Sequence, residues 1–232
     1  MYSVLKIRQV TFYFIIAVLA QGNSAAASTD HYSEVTGSTT LDIPAGPVMV
    51  AERKRVLGSR FRSSTSTDFK VDRSDVDEED YARSVVDKLY DEISNSGDTE
   101  RVLDTLDDAT KGQRAIYLAT VLREQVNEGG FDMYLSTDAG NLIVETRDSL
   151  RVIDAVEYVK ILDKVLALFV SEQDEVADKS VRRRVLDKIP AARKESLLDR
   201  LDSDFYTLER LDSLSISMKY YIKKHPRQFF SK

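Results

Sequence analysis

The sequence predicts an all-α protein, a bundle of about 7–9 helices around a central apolar helix at residues 155–169, and three observations carry that prediction. Only 4 Pro and 9 Gly are spread over 232 residues, too few turn signals for a many-stranded sheet. Leu, Glu, Lys and Arg, which lose little conformational freedom in a helix, are abundant. From residue 74 onward apolar residues recur at three- and four-residue spacing. A hydrophobic content of 42% is enough to build a core.

The chain begins with a targeting pattern. Lys6 and Arg8 precede an apolar run from Val10 to Ala20, followed by polar Gln21–Ser24 and then Ala25-Ala26-Ala27. A basic start, a short apolar stretch and an A-x-A triplet describe a secretory signal over residues 1–27, cleaved near Ala27-Ser28. A spanning helix would need ~20 apolar residues, so the mature chain is expected to be exported, periplasmic or secreted, rather than anchored. Its loss removes two cations and shifts the net charge from −6 to −8.

Residues 28–73 are rich in Ser and Thr, carry Pro44 and Pro47, and hold no sustained apolar period, so a disordered linker is expected there. Arg53-Lys54-Arg55 within it reads as a solvated basic triplet. Arg55-Val56-Leu57-Gly58, followed by Asp77–Asp80, resembles a degenerate form of the oomycete effector translocation signal, without that signal's final Arg.

The helical domain is expected over residues 74–232. Ser74–Asn95 reads as one helix: acidic residues crowd its start, where they complement the helix dipole, and Val85, Leu89 and Ile93 repeat at four-residue spacing. On it Asp80, Asp87 and Asp91 share a face and, with Glu92, form a candidate partner-binding surface. A calcium-loop reading fails, because from Asp75 the sixth position is Asp80 rather than Gly and the twelfth is Val86 rather than Glu. A short helix then carries Val102, Leu103 and Leu106. Lys111–Asn127 follows, with Ala115, Ala119, Leu122 and Val126 on one face, and is stopped by Gly129-Gly130.

Phe131 and Tyr134, one turn apart, suit a short helical turn packed on the core. Leu142–Ile153 is helical by its spacing, and Asp154 is placed to cap the next helix. That helix, 155–169, is apolar over most of its circumference, with Glu157, Lys160 and Lys164 as a narrow polar stripe, which places it centrally. Further helices are expected before Pro190, over Ala191–Leu201 and from Leu214 to near His225, with Leu201–Leu211 contributing Phe205, Tyr206, Leu208 and Leu211 between the last two. Pro226 disfavours continuation there.

Four stretches in this order resemble one family: Gly129-Gly130-Phe131-Asp132-Met133-Tyr134, the aliphatic helices ending Ala167-Leu168-Phe169, Leu201-Asp202-Ser203-Asp204-Phe205-Tyr206, and His225-Pro226. Together they resemble the C-terminal domain of the bacterial DNA-mimic protein family, a domain of unknown function, over about residues 113–230. Glu128 and Met133 stand where that family usually has Asn and Gln. The resemblance implies an all-helical fold in which Gly129, Gly130, Phe131, Tyr134, Phe169, Phe205, Tyr206, His225 and Pro226 are helix ends and core aromatics. It also raises DNA mimicry as an activity.

Composition narrows the chemistry. With no Cys, disulfides, thiol nucleophiles and thiolate zinc sites are excluded, and His31 and His225 are the only histidines. There is no G-x-S-x-G, H-E-x-x-H or phosphate-loop motif, so no catalytic residue, cofactor or metal is expected. Asp75–Asp108 contains 13 acidic and 3 basic residues, whereas Lys179–Lys232 contains 14 basic and 7 acidic, an electrostatic dipole. The expected function is therefore an exported, non-enzymatic protein-interaction domain, without direct nucleic-acid binding. One alternative is an acidic DNA mimic that sequesters a basic DNA-binding protein. Another is a hydrolase using the carboxylates Asp202 and Asp204, or Asp107 and Asp108.

Overall fold

A computed structural model describes residues 69–94 and 99–231, all within the second of two compact units of the chain, Pro47–Lys232. The expected signal segment, and the expected linker up to residue 68, lie outside the described residues. Among the described residues there are nine α-helices: α1 (Tyr81–Ser84), α2 (Asp87–Ser94), α3 (Thr99–Asp108), α4 (Lys111–Ser136), α5 (Ile143–Val152), α6 (Val156–Ala167), α7 (Lys179–Asp187), α8 (Ala191–Leu211) and α9 (Leu214–Lys224). The fold is all-helical, as the composition and periodicity predict. The one β feature among these residues is a bridge between Val71 and Phe230.

The helix with the most neighbours is α4, which touches α1, α2, α5, α7, α8 and α9. Its start is fixed by a capping box: the Thr110 hydroxyl accepts from the Gln113 backbone N–H at 3.2 Å, and the Gln113 side chain accepts from Thr110 N–H at 3.1 Å. Small residues at Gly112, Ala115 and Ala119 let neighbouring helices approach its axis, and Ala115–Thr120 is buried without interruption. The apolar helix expected at the centre is α6. Its Tyr158, Val159, Ile161, Leu162, Val165 and Leu166 are buried while Glu157, Lys160 and Lys164 face solvent. It packs against α5 and α8, so the centre of the bundle is shared between α6 and the longer α4.

The single helix expected over Ser74–Asn95 is broken into a 3-10 turn at Arg73–Asp75, then α1, then α2. Val85 and Val86 are both fully buried at the break. Adjacent residues on a straight helix point about 100° apart, and the chain brings both inward by tightening: Val86 N–H donates to the Arg83 carbonyl at 3.0 Å. Asp154, expected as a helix cap, instead takes a left-handed turn with φ 62°, and Ala155 precedes α6. The short helix expected over Ala191–Leu201 runs on through Leu211 as α8.

The two ends of the described chain meet. Val71 N–H donates to Phe229 O and Ser231 N–H to Val71 O, both at 3.0 Å, and Val71 itself is buried. The acidic turn before α1 also lies against the basic helix α9: Glu78 pairs with Lys219 at 2.9 Å, and the Lys219 and Lys223 ammonium groups lie 5.0 and 5.9 Å from the Tyr81 ring centre. The two poles expected from the sequence are therefore folded side by side. Among the described residues no helix is long and apolar enough to cross a membrane.

Candidate functional site

The Gly129-Gly130 pair breaks α4 without ending it. Gly129 has φ −151° and ψ 24°, Gly130 has φ 68° and ψ −171°, and helical geometry resumes at Phe131. A break leaves backbone groups on each side without their intrahelical partners. Helix α8 supplies a replacement on each side of the break. The Asp202 carboxylate accepts from Phe131 N–H at 2.7 Å, and the Tyr206 hydroxyl donates to the Val126 carbonyl at 2.8 Å. Asp202 and Tyr206 are four residues apart, so both project from one face of α8. Gly130 is required twice over: its backbone region is essentially closed to other residues, and a Cβ there would collide with the Asp202 carboxylate.

Behind this clamp the aromatic residues of the family motif pack edge to face. The Phe205 ring lies 5.9 Å from Phe131 and 5.4 Å from Tyr158, and Phe131 lies 6.4 Å from Tyr134. Phe131, Tyr134, Phe169 and Phe205 are all essentially inaccessible to solvent. Thus Gly129, Gly130, Phe131, Tyr134, Phe205 and Tyr206 converge at the α4–α8 contact. His225 and Pro226 lie at a different place. His225 ends α9, its ring 4.4 Å from that of Tyr221, and Pro226 starts a turn that brings Gln228 to the beginning of α4. There the Gln228 side chain accepts from Gly112 N–H at 2.6 Å and its carbonyl accepts from the Thr110 hydroxyl at 3.0 Å.

An open cleft of about 620 Å³ lies over the clamp, lined by Asn127, Asp199, Asp202, Tyr206, Glu209 and Arg210 among others. Two of its carboxylates are shifted in opposite directions. Burial, with Asp199 and Asp132 nearby, raises the Asp202 carboxyl above its ordinary range against the pull of the Phe131 N–H. For Glu209 burial acts in the same upward direction but is outweighed. Hydrogen bonds from Tyr158, Leu214 N–H and Arg123 hold its carboxyl below the ordinary range. Those bonds are short: Tyr158 hydroxyl 2.5 Å, Leu214 N–H 2.8 Å and Arg123 Nε 2.9 Å. Glu209 therefore ties α4, α6 and the start of α9 to α8.

Three of the four carboxylates considered for acid–base chemistry have structural partners, and the fourth, Asp108, is exposed. Asp202 holds Phe131 N–H, Asp204 pairs with Lys164 at 2.7 Å, and Asp107 pairs with Arg114 at 2.6 Å. Asp202 and Asp204, two residues apart on a helix, do not face one another.

The candidate acidic face is not the single helical face expected from the sequence. Asp80 precedes α1, where it is exposed, while Asp87, Asp91 and Glu92 belong to α2 beyond the break. Asp87 is half-buried and pairs with Arg83 at 3.7 Å; Asp91 and Glu92 are exposed. The break at Val85-Val86 is what separates Asp80 from the others.

One polar residue escaped the sequence reading. Arg182 is fully buried, and its guanidinium donates to the carbonyls of Leu135 (2.9 Å), Val176 (2.8 Å) and Thr137 (3.0 Å), and to Asn141 Oδ1 (2.8 Å). It satisfies the carbonyls at the end of α4, where a cation also complements the helix dipole. Gly140 leaves room for it, since a Cβ there would lie 3.0 Å from the guanidinium carbon. In the run Arg182-Arg183-Arg184, the position of Arg182 one turn before Leu186 was the available signal.

A family model described as DMP19-like protein matches residues 107–225. The chain belongs to the DMP19-like family. The matched residues run from the end of α3 through α9 and include the α4 break, its α8 clamp, Arg182 and His225. Eleven of the 13 acidic residues in Asp75–Asp108 precede the match. No curated protein and no solved structure matches the chain.

Proposed function

We propose that this DMP19-like chain is an exported, non-enzymatic protein-interaction domain whose acidic turns and helices α1–α3 dock a basic protein. The observation that carries this reading is the exposure of carboxylates along that region. Asp77, Glu78, Glu79, Asp80, Asp91, Glu92, Glu100 and Asp104 all face solvent, in a segment of net charge −10. Such a region attracts a cationic partner and orients its approach. Export rests on the basic, apolar and small-residue order of residues 1–27.

The test is retention of proteins from the exported fraction on the immobilised chain and on an Asp80→Asn/Asp91→Asn/Glu92→Gln variant, at low and high salt. A basic protein held by the parent at low salt and released from the variant is the expected result. Equal retention by both would remove the acidic surface from the interaction.

Family membership favours one further reading, that the same surface imitates the charge of duplex DNA, about one negative charge per 1.7 Å. In that case the captured partner binds DNA, and added chain displaces it from a labelled duplex. Binding of the chain and duplex together would end that reading while leaving the docking surface in place.

A further inference from the structure

Helix α9 carries two apolar stripes where the bundle uses one. Leu214, Met218 and Ile222, at four-residue spacing, are buried and hold the helix on the core. Ile216 and Tyr220, also one turn apart, point away from it and are 62% and 66% exposed. Leu211, the last residue of α8, is 80% exposed. A scattered exposed apolar side chain is ordinary, but an aligned pair on a helix already anchored by its other face has no part in folding.

The stripe is continued by cations. Lys224 follows Tyr220 by one turn, its ammonium 5.7 Å from the Tyr220 ring centre, and Lys223 and Arg227 are exposed beside it. Cations at a helix C-terminus complement the dipole, which accounts for the lysines but not for Ile216 and Tyr220.

We propose that this outer face of α9 is a second docking surface, for an acidic amphipathic helix of a partner protein. The occupant follows from charge and width. Apolar groups one turn apart, followed by Lys224, call for a partner with apolar side chains at the same spacing and carboxylates beyond them. The stripe from residue 216 to 224 is about 12 Å long, the length of two to three helical turns. An anionic lipid surface is broad, and would also meet the exposed carboxylate of Glu78, which pairs with Lys219 on this helix. This outer face of α9 borders the acidic turn through the Glu78–Lys219 pair and shares no residue with α2 or α3.

Two labelled synthetic peptides test this by fluorescence anisotropy against the full chain: one amphipathic with Leu at four-residue spacing among Glu residues, the other with Lys replacing every Glu. The acidic peptide is expected to bind, and to lose about tenfold or more in affinity to an Ile216→Ser/Tyr220→Ser variant, with no change for Asp91→Asn/Glu92→Gln. The basic peptide is expected to respond in the opposite way. The two surfaces thereby fail or stand separately. Equal affinity of the acidic peptide for parent and Ile216→Ser/Tyr220→Ser variant would overturn the proposal. So would a role for these residues seen only in binding to phosphatidylserine vesicles, or only in self-association by sedimentation. All four positions are exposed, so circular dichroism of the variants should match that of the parent.

Discussion

The carboxylates of α8 and those of α1–α3 are the same chemical groups put to different use. On α8, Asp202 completes a broken helix, Asp204 pairs with Lys164, and Glu209 gathers Tyr158, Arg123 and Leu214. Each crosses to another element, and the family match covers all three. In α1–α3 most carboxylates face water and precede that match. Charge density in a sequence therefore says little about a carboxylate's role. What decides it is whether the fold brings donors to the group.

The clamp on α4 offers the largest test of that contrast. Gly130→Ala places a side chain in a backbone region that tolerates none and against the Asp202 carboxylate. It should cost about 3 kcal/mol or more, seen as a clear fall in thermal midpoint. A midpoint equal to the parent's would mean that α8 does not hold the break. Substituting Glu209→Gln ranks next. It removes the charge facing Arg123 and leaves one amide to serve donors on three elements, for a loss of about 2 kcal/mol at pH 7. The pH dependence has a definite sign. A carboxyl whose folded pKa is lowered contributes stability above its unfolded value, ~4.3 for Glu, and loses it as pH falls through the folded value. The gap between parent and Glu209→Gln should accordingly close on acidification below about pH 4. A gap of constant size would mean that the Glu209 charge is not what its neighbours stabilise.

Much of this architecture was legible in the sequence because it rests on local rules. The apolar spacing of α4, α6 and α9, the glycine pair and the stop at His225-Pro226 each follow from a few adjacent residues. Three features were not legible: the carbonyls that Arg182 caps lie up to 47 residues from it, and two others also depend on the packed fold. The break between α1 and α2 comes from burying Val85 and Val86 together, which periodicity alone reads as a continuous helix. The role of Asp202 depends on a residue 71 positions away, so nothing within Leu201–Leu211 showed that it caps Phe131. Gly129-Gly130 read as a stop, which it is for the first part of α4; that the helix resumes is set by the caps α8 supplies. The acidic surface was legible as charge but not as shape.

The smallest expected effect is the most discriminating, because it concerns a carboxylate on the same helix as Glu209 with the opposite sign. Asp202 is held above its ordinary range by burial and by Asp199 and Asp132. A carboxyl whose folded pKa is raised contributes stability below its unfolded value, ~3.9 for Asp, and that contribution is lost as pH rises through the folded value. An Asp202→Asn variant keeps an oxygen that can accept from Phe131 N–H while removing the charge near Asp199 and Asp132. At pH 7 its stability should lie within about 0.5 kcal/mol of the parent's, the weaker hydrogen bond offsetting the relieved repulsion. As pH is raised from about 3.5 to 7, the variant should gain on the parent, whereas Glu209→Gln should fall behind over the same range. Thermal midpoints of the two variants against pH, measured relative to the parent, should therefore slope in opposite directions. Slopes of the same sign would show that the two carboxylates share one environment, and that the division within the α8 cleft between a tightly paired carboxylate and a crowded one does not hold.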